Sequence, residues 1–145
     1  MDTKDLSFVK NKIQSLVDKY KSLDSSKISK YTEEETKKGF IEPLFAALGW
    51  EIPNKEEVTA EESQSSGRVD YGFYLESRIK FYIEAKPLKA DLHNEEYAKQ
   101  AIRYSWNKGV DYAILTDFES LKIFYCQDPT QSLFSKLVFE IGFDE

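Results

Sequence analysis

The 145-residue sequence has one cysteine and one histidine, and it has no basic excess, with 20 Lys and Arg against 26 Asp and Glu. It also lacks any apolar run near the roughly 20 residues that a membrane-spanning helix needs. Each shortage excludes something. A lone Cys126, within the apolar stretch LKIFYCQ, forms no internal disulfide and reads as a small core residue. His93 reads as loop surface, because an oxygen-rich site needs no imidazole. The absence of long apolar runs, with a charged and polar stretch after Met1, excludes a spanning helix and a signal peptide and leads to the expectation of a soluble, cytoplasmic protein. The net charge of -6 argues against a simple electrostatic binder of nucleic acid. Acidic residues gathered in a metal site would lower that total without repelling a metal-bridged phosphate.

What is present is a foldable chain. Hydrophobic residues make up 41% and aromatic residues 14%, enough for a real core, and no repeat or low-complexity segment interrupts them. The length fits a single domain over 1–145. Leu6, Val9, Ile13, Leu16, Val17 and Tyr20 have amphipathic helical spacing, and the serine-rich LDSSKIS reads as a connection. A second helix starts at Thr32, with Glu35 as a capping-box partner, a stripe of Phe40, Ile41, Leu44, Phe45 and Leu48, a kink at Pro43 and a stop at Gly49. EVTAEE reads as a short strand, SQSSG as a loop, and NEEYAKQAIRYSWNKG as a helix capped by Asn94 and ended by Gly109. VDYAILT, LKIFYCQ and LFSKLVFEIG read as strands. This order predicts an α/β domain with a mixed sheet flanked by helices on both faces.

The informative stretch is RVDYGFYLESRIKFYIEAK, two strands and a turn. If the loop is the three residues ESR, antiparallel pairing sets Asp70 opposite Glu84, with Lys86 one step along the same face. Facing carboxylates destabilise a purely structural ladder, and the runs around them are apolar and aromatic on both faces. A divalent cation would reconcile the pair, held by Asp70, Glu84 and the backbone carbonyl of Ala85, while Lys86 orients a water or stabilises charge on a phosphate. Solvated strand charges are the ordinary alternative.

Asp70 followed by a hairpin and Glu84-Ala85-Lys86 resembles the PD-(D/E)xK nuclease signature, with Val69 standing where the motif's proline would be. EEETKKGFIEPLFAALGW resembles the N-terminal helix of the nuclease domain in type I restriction enzyme R subunits and type IIG restriction-modification enzymes, where a Glu precedes a Thr-Lys or Thr-Arg pair by three residues. Here that Glu is Glu33. QAIRY fits the Q-x-x-x-Y motif of these enzymes and of RecB-like nucleases, with Gln100 and Tyr104 as its two residues, and GVDYAILTDFESLKIFY resembles their next two strands.

The resemblance implies a restriction-endonuclease-like αβββαβ core and a Mg²⁺-dependent DNA endonuclease, with Mn²⁺ as a substitute. Glu33, Asp70, Glu84 and Lys86 would form its catalytic site, with Gln100 and Tyr104 at its edge. Gln100 would bond the Lys86 region or a phosphate, and Tyr104 would hydrogen-bond or stack near the substrate. Which of Glu33, Glu34 and Glu35 faces the site stays open at this point. Arg68, Lys89 and Arg103 read either as solvated charges or as phosphate contacts. The implied partners are DNA and methyltransferase, specificity or helicase domains of a longer protein, with a dimer for double-strand cleavage and no membrane. Two other readings stand beside this one. One is a non-catalytic module for DNA binding or assembly, and the other is a metal-free acid/base hydrolase using Asp70 and Glu84.

Overall fold

A computed structural model describes residues 3–64, 67–88, 90–127 and 136–142. Six strands form one sheet in chain order: β1 (Val58–Gln64), β2 (Gly67–Leu75), β3 (Arg78–Ala85), β4 (Tyr112–Thr116), β5 (Ser120–Tyr125) and β6 (Leu137–Gly142). Every neighbouring pair is antiparallel except β3 and β4, which run parallel. A parallel pair needs a crossover, and α5 (Glu95–Lys108) supplies it. The Asn94 side chain caps the N–H of Glu96, and Gly109 ends the helix at a φ of 71°, a left-handed conformation that glycine adopts without Cβ strain.

Helices cover both faces, as the alternation of strands and helices predicts. β3 sends Phe81, Ile83 and Ala85 toward the N-terminal helices, where they meet Val17, Phe40, Ile41 and Phe45. On the other face Tyr82 packs with Val69, Val110 and Tyr104 under α5. This two-sided burial is what makes charged residues on β2 and β3 costly and therefore informative.

The N-terminal region departs from the sequence reading in several places. In α1 (Thr3–Lys21) only the later apolar positions pack, and Leu6 is exposed. LDSSKIS contains a short helix, α2 (Ser25–Lys30), because the Asp24 carboxylate caps the N–H of Lys27 at 2.8 Å. The helix expected from Thr32 is three pieces: α3 (Glu33–Thr36), a π-helical turn (Lys37–Ile41) and α4 (Glu42–Ala47). Pro43 has no N–H to offer the carbonyl four residues back, at Gly39, and that carbonyl instead accepts from Lys19 Nζ at 3.0 Å. The chain widens into a π turn just before the proline, and Leu48, expected in the buried stripe, is exposed. Within SQSSG, Ser63, Gln64 and Gly67 belong to the β1–β2 ladder, while residues 65 and 66 lie outside the described residues. Of LFSKLVFEIG, the strand spans Leu137–Gly142 and residues 133–135 lie outside the described residues.

The β2–β3 turn is also shorter than expected. Glu76 and Ser77 form a two-residue turn with φ of 51° and 66°, the left-handed pair that a tight hairpin requires. Leu75 pairs with Arg78 and Tyr74 with Ile79, after which Phe73 pairs with Phe81, so Lys80 is an extra residue in β3. The bulge restores the register that a three-residue loop would have set, and Tyr71 pairs with Ile83.

Gly72, in the middle of β2, is required by a close approach. A Cβ there would stand 1.9 Å from Glu62 Oε2 and 2.8 Å from Thr59 Oγ1. That carboxylate oxygen accepts from the Thr59 hydroxyl and, at 3.0 Å, from Tyr74. Gly72→Ala should therefore expel Glu62 and break both bonds, lowering unfolding free energy in urea by about 1–3 kcal/mol. Adding Glu62→Ala should recover part of the loss, and an unchanged urea midpoint in the single variant would show that the carboxylate is not held over Gly72.

Candidate functional site

β2 and β3 pair only as far as Tyr71 and Ile83. Beyond that level β2 continues along β1 to Gly67, while β3 continues along β4 to Ala85, so the two strands part. The Asp70 carboxylate fills the parting. Its Oδ2 accepts the Ala85 N–H at 2.7 Å, and its Oδ1 accepts Lys37 Nζ at 2.7 Å. Both side chains are nearly closed off, at 2% and 7% exposure. Lys37 is carried in by the π turn that follows α3.

Glu84 is also buried, at the end of β3. Its Oε1 lies 3.4 Å from Lys86 Nζ, while its Oε2 has no hydrogen-bond donor among the described residues. The third carboxylate comes from α3. One oxygen each of Glu33, Asp70 and Glu84 lie within 4.8 Å of one another, a grouping that could hold a metal ion. The neighbouring glutamates are elsewhere: Glu35 donates its N–H to the Thr32 hydroxyl at 3.1 Å and its carboxylate accepts from that hydroxyl at 3.1 Å, and Glu34 is exposed. Lys86 is steadied from above by the Tyr97 ring, 4.4 Å from Nζ to centroid. Leu88, two residues on, donates its N–H to the buried Thr36 hydroxyl at 3.3 Å, which ties the end of the Glu84–Lys86 segment back to α3.

The electrostatics follow from this crowding. Burial first, and then the Asp70 charge, push Glu84 up to about 8, with Lys86 pulling the other way. Protonated, Glu84 can donate to the Asp70 carboxylate. Ionised, it leaves Oε2 without a donor. Burial would lower the Lys37 ammonium, but the hydrogen bond and charge of Asp70, helped by Glu33 and Glu34, hold it above the usual lysine range. Three carboxyl groups thus share two ammoniums in a largely buried cluster. An orphaned carboxyl oxygen among hard oxygen donors, with positive charge in deficit once Glu84 ionises, fits a divalent cation of the Mg²⁺ or Mn²⁺ kind.

The remaining sequence-named residues divide. Ala85 lies between Glu84 and Lys86, fully buried, with its N–H on Asp70. Gln100 donates from Nε2 to the carbonyl of Arg68 at 3.1 Å, so it holds the parted end of β2 rather than the Lys86 region. Tyr104 is 1% exposed and packs edge-on against Tyr82 at 4.9 Å, so its ring belongs to the core and cannot stack on a substrate. Its position one turn beyond Gln100 places it under the helix, where β3 fills the space. Arg68, Arg103 and His93 are exposed, and Lys89 lies outside the described residues. Two residues with a place at the site carry no role in the sequence reading: Lys37 and Tyr97. Lys37 had a signal, as the lysine of the Thr-Lys pair in the helix motif. Tyr97 had none, since its place over Lys86 depends on how α5 crosses the sheet.

Among known proteins, the type II restriction enzyme and methyltransferase RM.Eco57I of Escherichia coli is 33% identical over 134 residues, a match covering 82% of this chain and 13% of that protein. The chain thus spans a small part of the curated relative it matches. A fragment assigned to an HsdR subunit of a type I restriction enzyme from Vibrio vulnificus superposes on 65% of this chain and 21% of its own length, with a TM-score of 0.54 and 21% identity. A chain of the DrdV–DNA complex aligns with 97% of this chain and 12% of its own, at 17% identity and a TM-score of 0.49, too loose to carry weight. No protein-family model matches. No helix among the described residues is long and apolar enough to cross a membrane. The αβββαβ core and mixed sheet match the restriction-endonuclease-like fold of the HsdR fragment, and the sequence is similar to a part of a restriction enzyme and methyltransferase.

Proposed function

We propose that the chain is a divalent-cation-dependent endonuclease domain of the PD-(D/E)xK type, cleaving DNA phosphodiesters as the cleavage module of a longer restriction enzyme. The observation that carries this reading is the convergence of Glu33, Asp70 and Glu84 within 4.8 Å at the mouth of parted strands, with Glu84 Oε2 buried and unpartnered. Its relative is described as both restriction enzyme and methyltransferase, which supports DNA as the substrate and modification or recognition as tasks of other domains. The segment over 1–145 would act as one folded unit.

When bound, the cation would supply charge neutralisation at the phosphate and a water acidic enough to attack it. Asp70 and Glu84 would hold it, with the Ala85 carbonyl as a further oxygen donor. Glu33, half-buried on α3, would hold a ligand water or the cation's outer face. Lys86, restrained by Glu84 and the Tyr97 ring, would orient the attacking water and stabilise charge on the phosphate. Charge accounting supports the same assignment: once Glu84 gives up its proton to the cation, three carboxylates and two ammoniums leave a deficit of one, and a dication together with one phosphodiester brings the set to neutrality.

The test separates binding from chemistry. Calorimetric titration should show saturable Mn²⁺ binding that is lost in Asp70→Asn, which keeps one of the two acceptor oxygens where Asp70→Ala would keep neither and strand a buried ammonium at a cost of about 3–5 kcal/mol. Lys86→Ala should keep Mn²⁺ binding and lose at least roughly 100-fold in plasmid nicking. Nicking that survives EDTA would instead support the metal-free carboxylate pair. A folded chain with no Mn²⁺ affinity would support a binding or assembly module.

A pH dependence follows. The folded state keeps a proton on Glu84 up to about 8, while the unfolded chain releases it near the ordinary glutamate value of 4.5. Between those limits folding takes up a proton, so the metal-free chain should lose stability as pH rises through the window. Asp117, pushed by burial up to about 7, acts in the same direction. Glu84→Gln should flatten only part of the slope of thermal midpoint against pH. Mn²⁺ affinity of the unsubstituted chain should fall about tenfold per unit below pH 8, since the metal displaces that proton. A flat affinity from pH 6 to 8 would remove Glu84 from the ligand set.

A further inference from the structure

Lys37 occupies an unusual place, because it contacts the acidic cluster through Asp70, where Lys86 contacts it through Glu84, and it is nearly inaccessible. Its Nζ lies 2.7 Å from Asp70 Oδ1, with 7% of the side chain exposed. The other Asp70 oxygen is taken by the Ala85 N–H, so the carboxylate already has a donor on each oxygen before any cation arrives. Lys37 opens the π turn, and its backbone N–H bonds the carbonyls of Glu33 and Glu34, so Lys37 and Glu33 are set on one continuous helical stretch of backbone.

We propose that Lys37 is a positioning residue that acts as a resident counter-ion, stabilising the cluster while it lacks a divalent cation and holding down its affinity for one. This rests on the cation-dependent reading above. With Lys37 present, a dication leaves the cluster with one surplus positive charge, which a phosphodiester would cancel. With Lys37 neutralised, the dication alone would balance the three carboxylates and Lys86, and it would also find Asp70 Oδ1 without a competing cation. The sign is what distinguishes this role from that of a strut. A residue that merely fixes Asp70 in place would, on removal, loosen the site and weaken metal binding. A resident counter-ion would, on removal, strengthen it.

The experiment is calorimetric titration of Mn²⁺ into the unsubstituted chain, Lys37→Met, Lys37→Gln and Lys37→Arg, each checked for folding by circular dichroism. Both neutral variants should bind Mn²⁺ roughly tenfold tighter or more, while Lys37→Arg stays near the unsubstituted chain. Lys37→Gln keeps an N–H donor for Asp70 while removing the charge, so it carries the test if Lys37→Met does not fold. Equal or weaker Mn²⁺ binding in a folded neutral variant, with saturable binding in the unsubstituted chain, overturns the role of Lys37 alone. No binding in any of the four overturns it together with the metal-dependent reading.

Discussion

The Asp70 carboxylate joins three parts of the molecule at one point. It accepts a strand N–H at the level where β2 and β3 stop pairing, accepts an ammonium from the π turn, and contributes an oxygen to the acidic cluster. Without it the Ala85 N–H would face a gap between strands, and a buried unpaired donor costs about 1–3 kcal/mol. The parting of the strands and the burial of Lys37 are therefore one arrangement. The sheet opens where a side chain can replace the missing rung, and that side chain is charged enough to hold a helix against the opening.

Much of the fold was legible because its strands obey a simple period. The apolar and aromatic runs of β3 and β4 are buried on both faces, and such runs read as central strands whatever surrounds them. Helix α5 announced both ends, with Asn94 and Gly109. The N-terminal region was less legible. LDSSKIS looked like a linker because its six-residue helix fully buries no residue, offers only Ile28 to the core and rests on one cap. The π turn has no compositional signal of its own, and Pro43 pointed to a disturbance without saying which kind.

Legibility of the site follows the same division. The cluster on β2 and β3 could be read because alternation fixes which strand residues share a level, and the capping box already assigned Glu35 elsewhere. Within its glutamate run Glu33 was singled out by its place three residues before Thr36-Lys37, and it is the one that joins Asp70 and Glu84. Tyr104 shows the limit of motif reading on a helix. One turn from an exposed Gln100 it is already beneath the helix axis, where Tyr82 meets it edge-on. Lys37 shows the complementary limit: a lysine in a charged stretch reads as solvated, and only the π turn directs it into the dry interior.

The hairpin between β2 and β3 has a consequence for how its length can vary. Its two-residue turn sets one register and the extra residue at Lys80 shifts it by one, so that the two together bring Asp70 level with Glu84. A three-residue turn without the bulge would give the same alignment. An insertion at Glu76–Ser77 is thus silent for the carboxylates when a deletion near Lys80 accompanies it. Either change alone would turn one strand's side chains over relative to the other and scatter the cluster across both faces of the sheet.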